Sequence, residues 1–191
     1  LLELSDAELN RITAGAMLVI SSRAELRISA PISPSGVGTL SLLAEGAVVD
    51  GNASGADVTV ATLAVDATCV GTFTNPLETA VGSLNARARA GGVYAIDNDA
   101  LTVSGASAAG AGAGIFLTAQ GPLAVTGNVT AGGGQVDLAA LGSGSLLGVA
   151  AGVAVSGGSV MLTADRMDVA GSVQATPGAV QLNTATPGWG V

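Results

Sequence analysis

From Gly15 onward, apolar residues alternate with polar or small ones in short runs, each bounded by Gly, Ser, Asn, Asp or Pro. Leu26-Arg27-Ile28, Leu40-Ser41-Leu42, Val58-Thr59-Val60 and Leu63-Ala64-Val65 are typical. Period-2 alternation with punctuation at both ends predicts short strands. No later segment sustains a helical period. Only the opening differs. Ser5-Asp6-Ala7-Glu8 has the form of a capping box, Leu9 and Ile12 give an apolar side, and Gly15 supplies a stop. The pattern predicts a helix of about two turns over Ser5–Ile12, with Leu9 and Ile12 as its apolar side before the stop. Residues 1–15 are thus expected to form a helical connector or cap, and residues 16–191 a single β domain.

The strands repeat. Tyr94/Ile96, Ile115/Leu117, Val136/Leu138, Val160/Leu162 and Val180/Leu182 have first members spaced by 21, 21, 24 and 20 residues. A second set follows: Leu101/Val103, Leu123/Val125, a looser Leu146/Val149, and Met167/Val169. A third set is Val129, Val153/Val155 and Val173. The long interval contains the extra Gly142-Ser143-Gly144-Ser145, and insertion into one turn with the flanking strands in phase is what a solenoid tolerates. In the N-terminal half, Leu18/Ile20, Leu40/Leu42, Leu63/Val65 and Leu84/Ala86 are spaced by 22, 23 and 21. This ladder is offset by 10 from the one that starts at Tyr94. Either the two halves display different faces, or the phase shifts near Gly91-Gly92.

Three short strands in about 21 residues predict an all-β, parallel β-helix, right-handed as parallel crossovers are. Roughly eight coils stacked at about 4.8 Å would make a rod about 40 Å long. The composition agrees. There are 29 Gly and 2% aromatics: a narrow interior admits Val, Leu, Ile and Ala, and the corners use Gly and Asn.

Charge and residue inventory remove several functions. There is no His and no Lys, the six bases are all Arg, and the formal net charge is −8. Histidine catalysis and lysine chemistry are excluded, and so is a zinc site of Cys and His, with one Cys present. Nucleic-acid binding through a basic face is not expected. The charge-free stretch from Ala100 to Val136 is interrupted throughout by Gly and polar residues, so no membrane insertion as a helix is expected. Four aromatics cannot build the girdles of a membrane barrel. Glu3, Asp6 and Glu8 stand where a signal peptide would carry basic residues, so the chain reads as a segment of a longer protein.

Leu4-Ser5-Asp6-Ala7-Glu8-Leu9-Asn10-Arg11-Ile12-Thr13-Ala14-Gly15 resembles a connector found before fresh runs of coils in giant secreted proteins. Val81-Gly82-Ser83-Leu84-Asn85-Ala86-Arg87-Ala88 together with Gly92-Val93-Tyr94-Ala95-Ile96-Asp97-Asn98-Asp99-Ala100-Leu101-Thr102-Val103 resembles the repeat of filamentous-haemagglutinin-like bacterial surface proteins. The resemblance covers nearly the whole chain. It implies export across the outer membrane and a β-helical rod displayed outside the cell, and it brings no catalytic residues.

Candidate sites are few. Asp97-Asn98-Asp99 offers two carboxylates and an amide to a calcium ion, but calcium wants six to eight oxygens; a solvated corner using Asx turns is the expectation. Asp50-Gly51-Asn52 with Asp57 is a weaker version. Gly132-Gly133-Gly134-Gln135-Val136-Asp137-Leu138 approaches a calcium-binding nonapeptide once and imperfectly. Asn52-Ala53-Ser54 and Asn128-Val129-Thr130 are glycosylation sequons, expected to stay unmodified. Cys69 reads as a small buried hydrophobe. Arg87 and Arg89 read as an outward face pairing with acids of a neighbouring coil, and Thr72-Phe73-Thr74 is a lone T-x-T. No catalytic, cofactor or metal residue is assigned. Asp97, Asp99, Asp137, Asp165 and Asp168 could serve an enzyme only if they clustered across coils.

The expected function is a structural and adhesive solenoid segment of a secreted, fibrous cell-surface protein, without catalysis. The alternative is a carbohydrate-active β-helix domain of the lyase or hydrolase kind. Expected partners are further coils or a second copy stacked end to end, and a host or cell-surface glycan or protein.

Overall fold

The computed structural model describes residues 5–52 and 55–187. One column shows how the chain is wound. Leu26, Val48, Val70, Val93, Ile115, Val136, Val160 and Val180 are successive parallel partners. Their spacings are 22, 22, 23, 22, 21, 24 and 20, so the chain makes eight coils of about 22 residues. The fold is a parallel β-solenoid with almost no helix.

Two more columns complete the interior. On the second face Leu18, Leu40, Leu63, Leu84, Val103, Val125, Val149 and Val169 stack in turn. On the third, Ile20, Leu42, Val65, Ala86, Ala106, Val129, Val155 and Val173 do so. The offset of 10 is therefore between two faces, both of which run the length of the rod. No phase shift occurs at Gly91-Gly92.

Three strands per coil is the rule of the C-terminal half. Leu123–Val125, Val129–Ala131 and Gln135–Ala140 form one such coil. In the N-terminal half the second and third faces are one continuous strand: Ala14–Ser22, Val37–Ala44, Val58–Ala67 and Leu77–Ala88. Leu101–Ala108 is the transition, pairing with both Leu123–Val125 and Val129–Ala131.

Two expected registers are corrected. In the fourth coil the inward pair is Val93/Ala95, not Tyr94/Ile96; Tyr94 pairs with Phe116 on the outside. With a side-chain period of two, a slip of one residue exchanges the faces. In the seventh coil Leu147, not Leu146, stacks between Leu123 and Met167, which removes the looseness of that pair.

The helix is shorter than expected. It spans Asp6–Leu9, one turn, and Gly15 lies inside the first strand rather than ending the helix. The capping box is present, with Ser5 and Glu8 bonding reciprocally. Its seat explains the brevity. Leu9 is 1% exposed and joins the core, Ile12 packs beside it, and the helix then gives way to the strand. Asp6 accepts from the Ser33 amide at 2.6 Å and Asn10 accepts from the Ser35 amide at 2.8 Å, which ties the helix to the first coil.

Candidate functional site

Leu77–Ala88 passes from the first face to the second without interruption. A strand that bends this way turns its N–H groups off the ladder, and buried N–H groups need another acceptor. Two aspartates supply it. Asp57, from the coil before, accepts from the Glu78 amide at 2.9 Å through Oδ2. Asp97, from the coil after, accepts from the Val81 amide at 2.9 Å and the Thr79 hydroxyl at 2.8 Å. Its other oxygen accepts from the Asp99 amide at 3.0 Å.

Asp97 is 0% exposed. The expected solvated corner is thus corrected: Asp99 is on the surface, whereas Asp97 points inward in the column that later holds Ala119 and Ala140. With three donors on it and Asp99 turned away, Asp97 is committed to the backbone. Among the described residues no group of three or more His, Cys, Asp or Glu is placed to hold a metal ion.

Asp50 and Asp57 form the other buried acidic corner. Asp57 is 0% exposed and Asp50 is also buried. Asn52 bridges them: its amide donates to Asp50 Oδ1 at 2.8 Å and its Nδ2 to Asp57 Oδ1 at 2.7 Å. Burial pushes the Asp57 pKa up to about 7. The Glu78 amide opposes the rise, while a side-chain hydrogen bond with Asp50 and the charges of Asp50 and Glu78 add to it. The closed corner thus favours the protonated form of Asp57.

The remaining candidates stand apart. Asp137 is on the outside of the first face and Asp168 on the outside of the second. Asp165 sits at a corner, where it accepts from the Gly144 amide, the Thr186 amide and the Thr186 hydroxyl at 2.7–2.8 Å. Burial acts to raise its pKa, but bonds from Thr186, Gly144 and Ala185 outweigh that and hold the carboxyl below its ordinary range. Arg87 pairs with Asp66 at 3.4 Å, and Arg89 with the same carboxylate; the acid belongs to the preceding coil. Cys69 is half-buried, with its thiol donating to Gly71 O at 3.0 Å, and burial pushes its pKa up. Asn128 is exposed and accepts from the Ala154 amide. The sequon at Asn52 extends into residues outside those described, and the Nδ2 a glycan would take is bonded to Asp57.

Sequence reasoning missed one feature. Phe73, Tyr94 and Phe116, three of the four aromatic residues, meet outside the first face. Tyr94 and Phe116 stack at 5.2 Å and 11°, and Phe73 meets both rings edge-on. The signal was available in Gly92-Val93-Tyr94 and Gly114-Ile115-Phe116. Each ring folds back over the glycine two residues earlier, where a Cβ would stand 2.6 Å and 2.5 Å from ring carbons. Two shallow grooves, one beside Val65 on the third face and one beside Val125 and Val149 on the second, have about 170 and 190 Å³ and are smaller than ordinary small-molecule pockets of about 300 Å³ or more. Comparison with protein-family models, curated proteins and solved structures finds no match.

Proposed function

We propose that this chain is a structural and adhesive segment of a secreted, fibrous bacterial surface protein, acting as a stiff rod. One observation carries the reading. Val169, Val180 and Leu182 occupy inward columns but are 43%, 43% and 53% exposed. Their partners one coil earlier, Val149, Val160 and Leu162, are 2%, 1% and 0% exposed. Such a ledge, edged by the strands Ser172–Ala175 and Val180–Asn183, fits a further coil of the same pitch. At the opposite end the one-turn helix buries Leu9, while Leu18, Ile20 and Leu26 of the first coil stay part-exposed.

The distribution of acids supports a rod over the carbohydrate-active alternative. Asp57 and Asp97 are sealed from any polymer substrate, and Asp137, Asp165 and Asp168 lie on separate sides of the coil. The resemblance of Leu4–Gly15 to a connector of giant secreted proteins supports the location outside the cell.

The test is sedimentation of the 191-residue chain at rising concentration, beside Leu182→Glu. Self-association that Leu182→Glu abolishes is the expected result. A strictly monomeric rod at high concentration overturns the reading.

A further inference from the structure

We propose that Phe73, Tyr94, Phe116 and Asp137 form a binding ledge for a basic side chain, Arg or Lys, of a partner polypeptide. This deepens the adhesive part of the reading above, on a different surface from the stacking end.

The ledge begins with an insertion. Val70 and Leu77 fill the positions that Val93 and Ala95 fill in the next coil, so seven steps of chain do the work of two. The extra loop is tightly built. Gly71 takes φ +59°, and the Thr72 amide donates to Asn75 O at 2.9 Å. The Asn75 amide donates to Thr72 Oγ1 at 3.0 Å, and Asn75 Nδ2 to Asp50 O at 3.2 Å. At its tip stands Phe73, 71% exposed. An aromatic held at a surface by a fixed loop has little freedom left to lose on binding, which is how aromatic anchors at interfaces act.

Asp137 supplies the charge. It pairs with Phe116 on one side and Met161 on the other, so its backbone lies one strand spacing, about 5 Å, from that of Phe116. It is half-buried, and among the described residues no hydrogen bond or ion pair reaches it. Burial between these apolar neighbours raises its pKa. The outward positions beside it are Tyr94, Ile96, Thr118, Ala139, Thr163, Gln181 and Asn183, none of them basic. A carboxylate lacking a cation, one strand spacing from a cluster of aromatic rings, selects a cationic head on an apolar stem. The chain itself has no Lys, and two of its six Arg are engaged with Asp66.

The probe is the peptide acetyl-Gly-Arg-Gly-Arg-Gly-amide, titrated into the labelled full chain and read by NMR, with Gln replacing Arg in a control peptide. Shifts should centre on Phe73, Thr118 and Asp137. Phe73→Ala and Asp137→Asn should each weaken binding about threefold or more, as expected for loss of one exposed cation–π contact or one ion pair. Asp168→Asn, the same charge change on another face, should leave it unchanged. Thermal melts establish that the variants are folded; Phe73 is an exposed tip and Asn is isosteric with Asp. Full-strength binding by Phe73→Ala, equal loss in Asp168→Asn, equal binding of the Gln peptide, or stronger shifts of these residues with a neutral oligosaccharide would each overturn the proposal. So would no binding at millimolar peptide. Mass does not enter this readout, so its failure is separable from failure of end-to-end stacking.

Discussion

Asp57 makes a sharp prediction about pH. Its carboxyl titrates near pH 7 in the folded chain, against an ordinary value of 3.8. The folded state therefore holds a proton that the unfolded state releases. By linkage, the stability this proton contributes is complete below about pH 4, declines as pH rises towards 7, and changes no further above. A gap of about three units corresponds to about 4 kcal/mol across that interval. Asp137, whose pKa is also raised by burial, adds a slope of the same sign. Glu8 is lowered by its bonds from Ser5, and Asp165 is held low by its donors; both act in the opposite sense, at acid pH below this window. The perturbation is Asp57→Asn. Asn keeps an acceptor for the Glu78 amide and has no proton to titrate, but it gives up the bond from Asn52 Nδ2. Melting temperatures followed by circular dichroism from pH 5 to pH 8, at fixed ionic strength, should fall more steeply for the parent chain than for the variant. A solenoid can open coil by coil. Hydrogen exchange of the Glu78 amide, which bonds directly to Asp57, supplies the local reading. Parallel melting profiles for the two chains would refute the raised pKa of Asp57.

Val136 is 0% exposed between Ile115 and Val160, so Val136→Asp should cost on the order of 4 kcal/mol or more, as an unpaired buried charge does, and abolish the melting transition. Two glycines inserted between Ser143 and Gly144 should cost under about 1 kcal/mol, because lengthening a surface turn is entropically mild; equal losses in the two variants would show the register to be wrong. Asp165→Ala removes the acceptor for both Thr186 groups, so residues 184–187 should become cleavable by a protease while the melting of the coils is unchanged. Asp97→Ala should cost about 1–3 kcal/mol through the stranded Val81 amide and Thr79 hydroxyl. The loss in chemical denaturation should shrink when Thr79→Val is added, and an unchanged loss would remove Thr79 from the account.

The columns were legible because each inward position repeats one apolar choice. Ile115, Val136, Val160 and Val180 could be aligned by counting, and so could Leu18, Leu40, Leu63 and Leu84. Counting failed at Tyr94 because both members of Val93-Tyr94 are apolar, and period alone does not say which of two adjacent hydrophobes turns inward. It failed again at Asp97. Composition ranks an acidic turn residue as solvated, whereas this one is fixed by amide groups that leave the ladder two coil edges away in sequence. The demand for a buried acceptor arises from the bend of Leu77–Ala88, and no local pattern around Asp97 announces that bend. The Phe73 loop was hidden for a related reason. Its five additional residues fall inside a face rather than at a corner, so Thr72-Phe73-Thr74 reads as part of a strand until Val70 and Leu77 are both paired with the next coil.

The scarcity of aromatics and their position have one physical cause. The interior columns of this rod are filled by Leu, Val, Ile and Ala at the fixed spacing of stacked coils, and a ring placed in them would force neighbouring coils apart. A ring on the outside meets no such barrier, but it leaves apolar area in water unless something covers it. Tyr94 and Phe116 recover part of that area by stacking on each other and by lying back on Gly92 and Gly114. Phe73 recovers little, since it meets those rings edge-on and keeps most of its surface exposed. Stability therefore does not account for it: deleting its loop would shorten the coil to the length its neighbour already uses and remove an exposed phenyl ring. A side chain that the fold gains little from, mounted on a loop closed by its own hydrogen bonds, is the part of this surface that the proposed basic partner would meet.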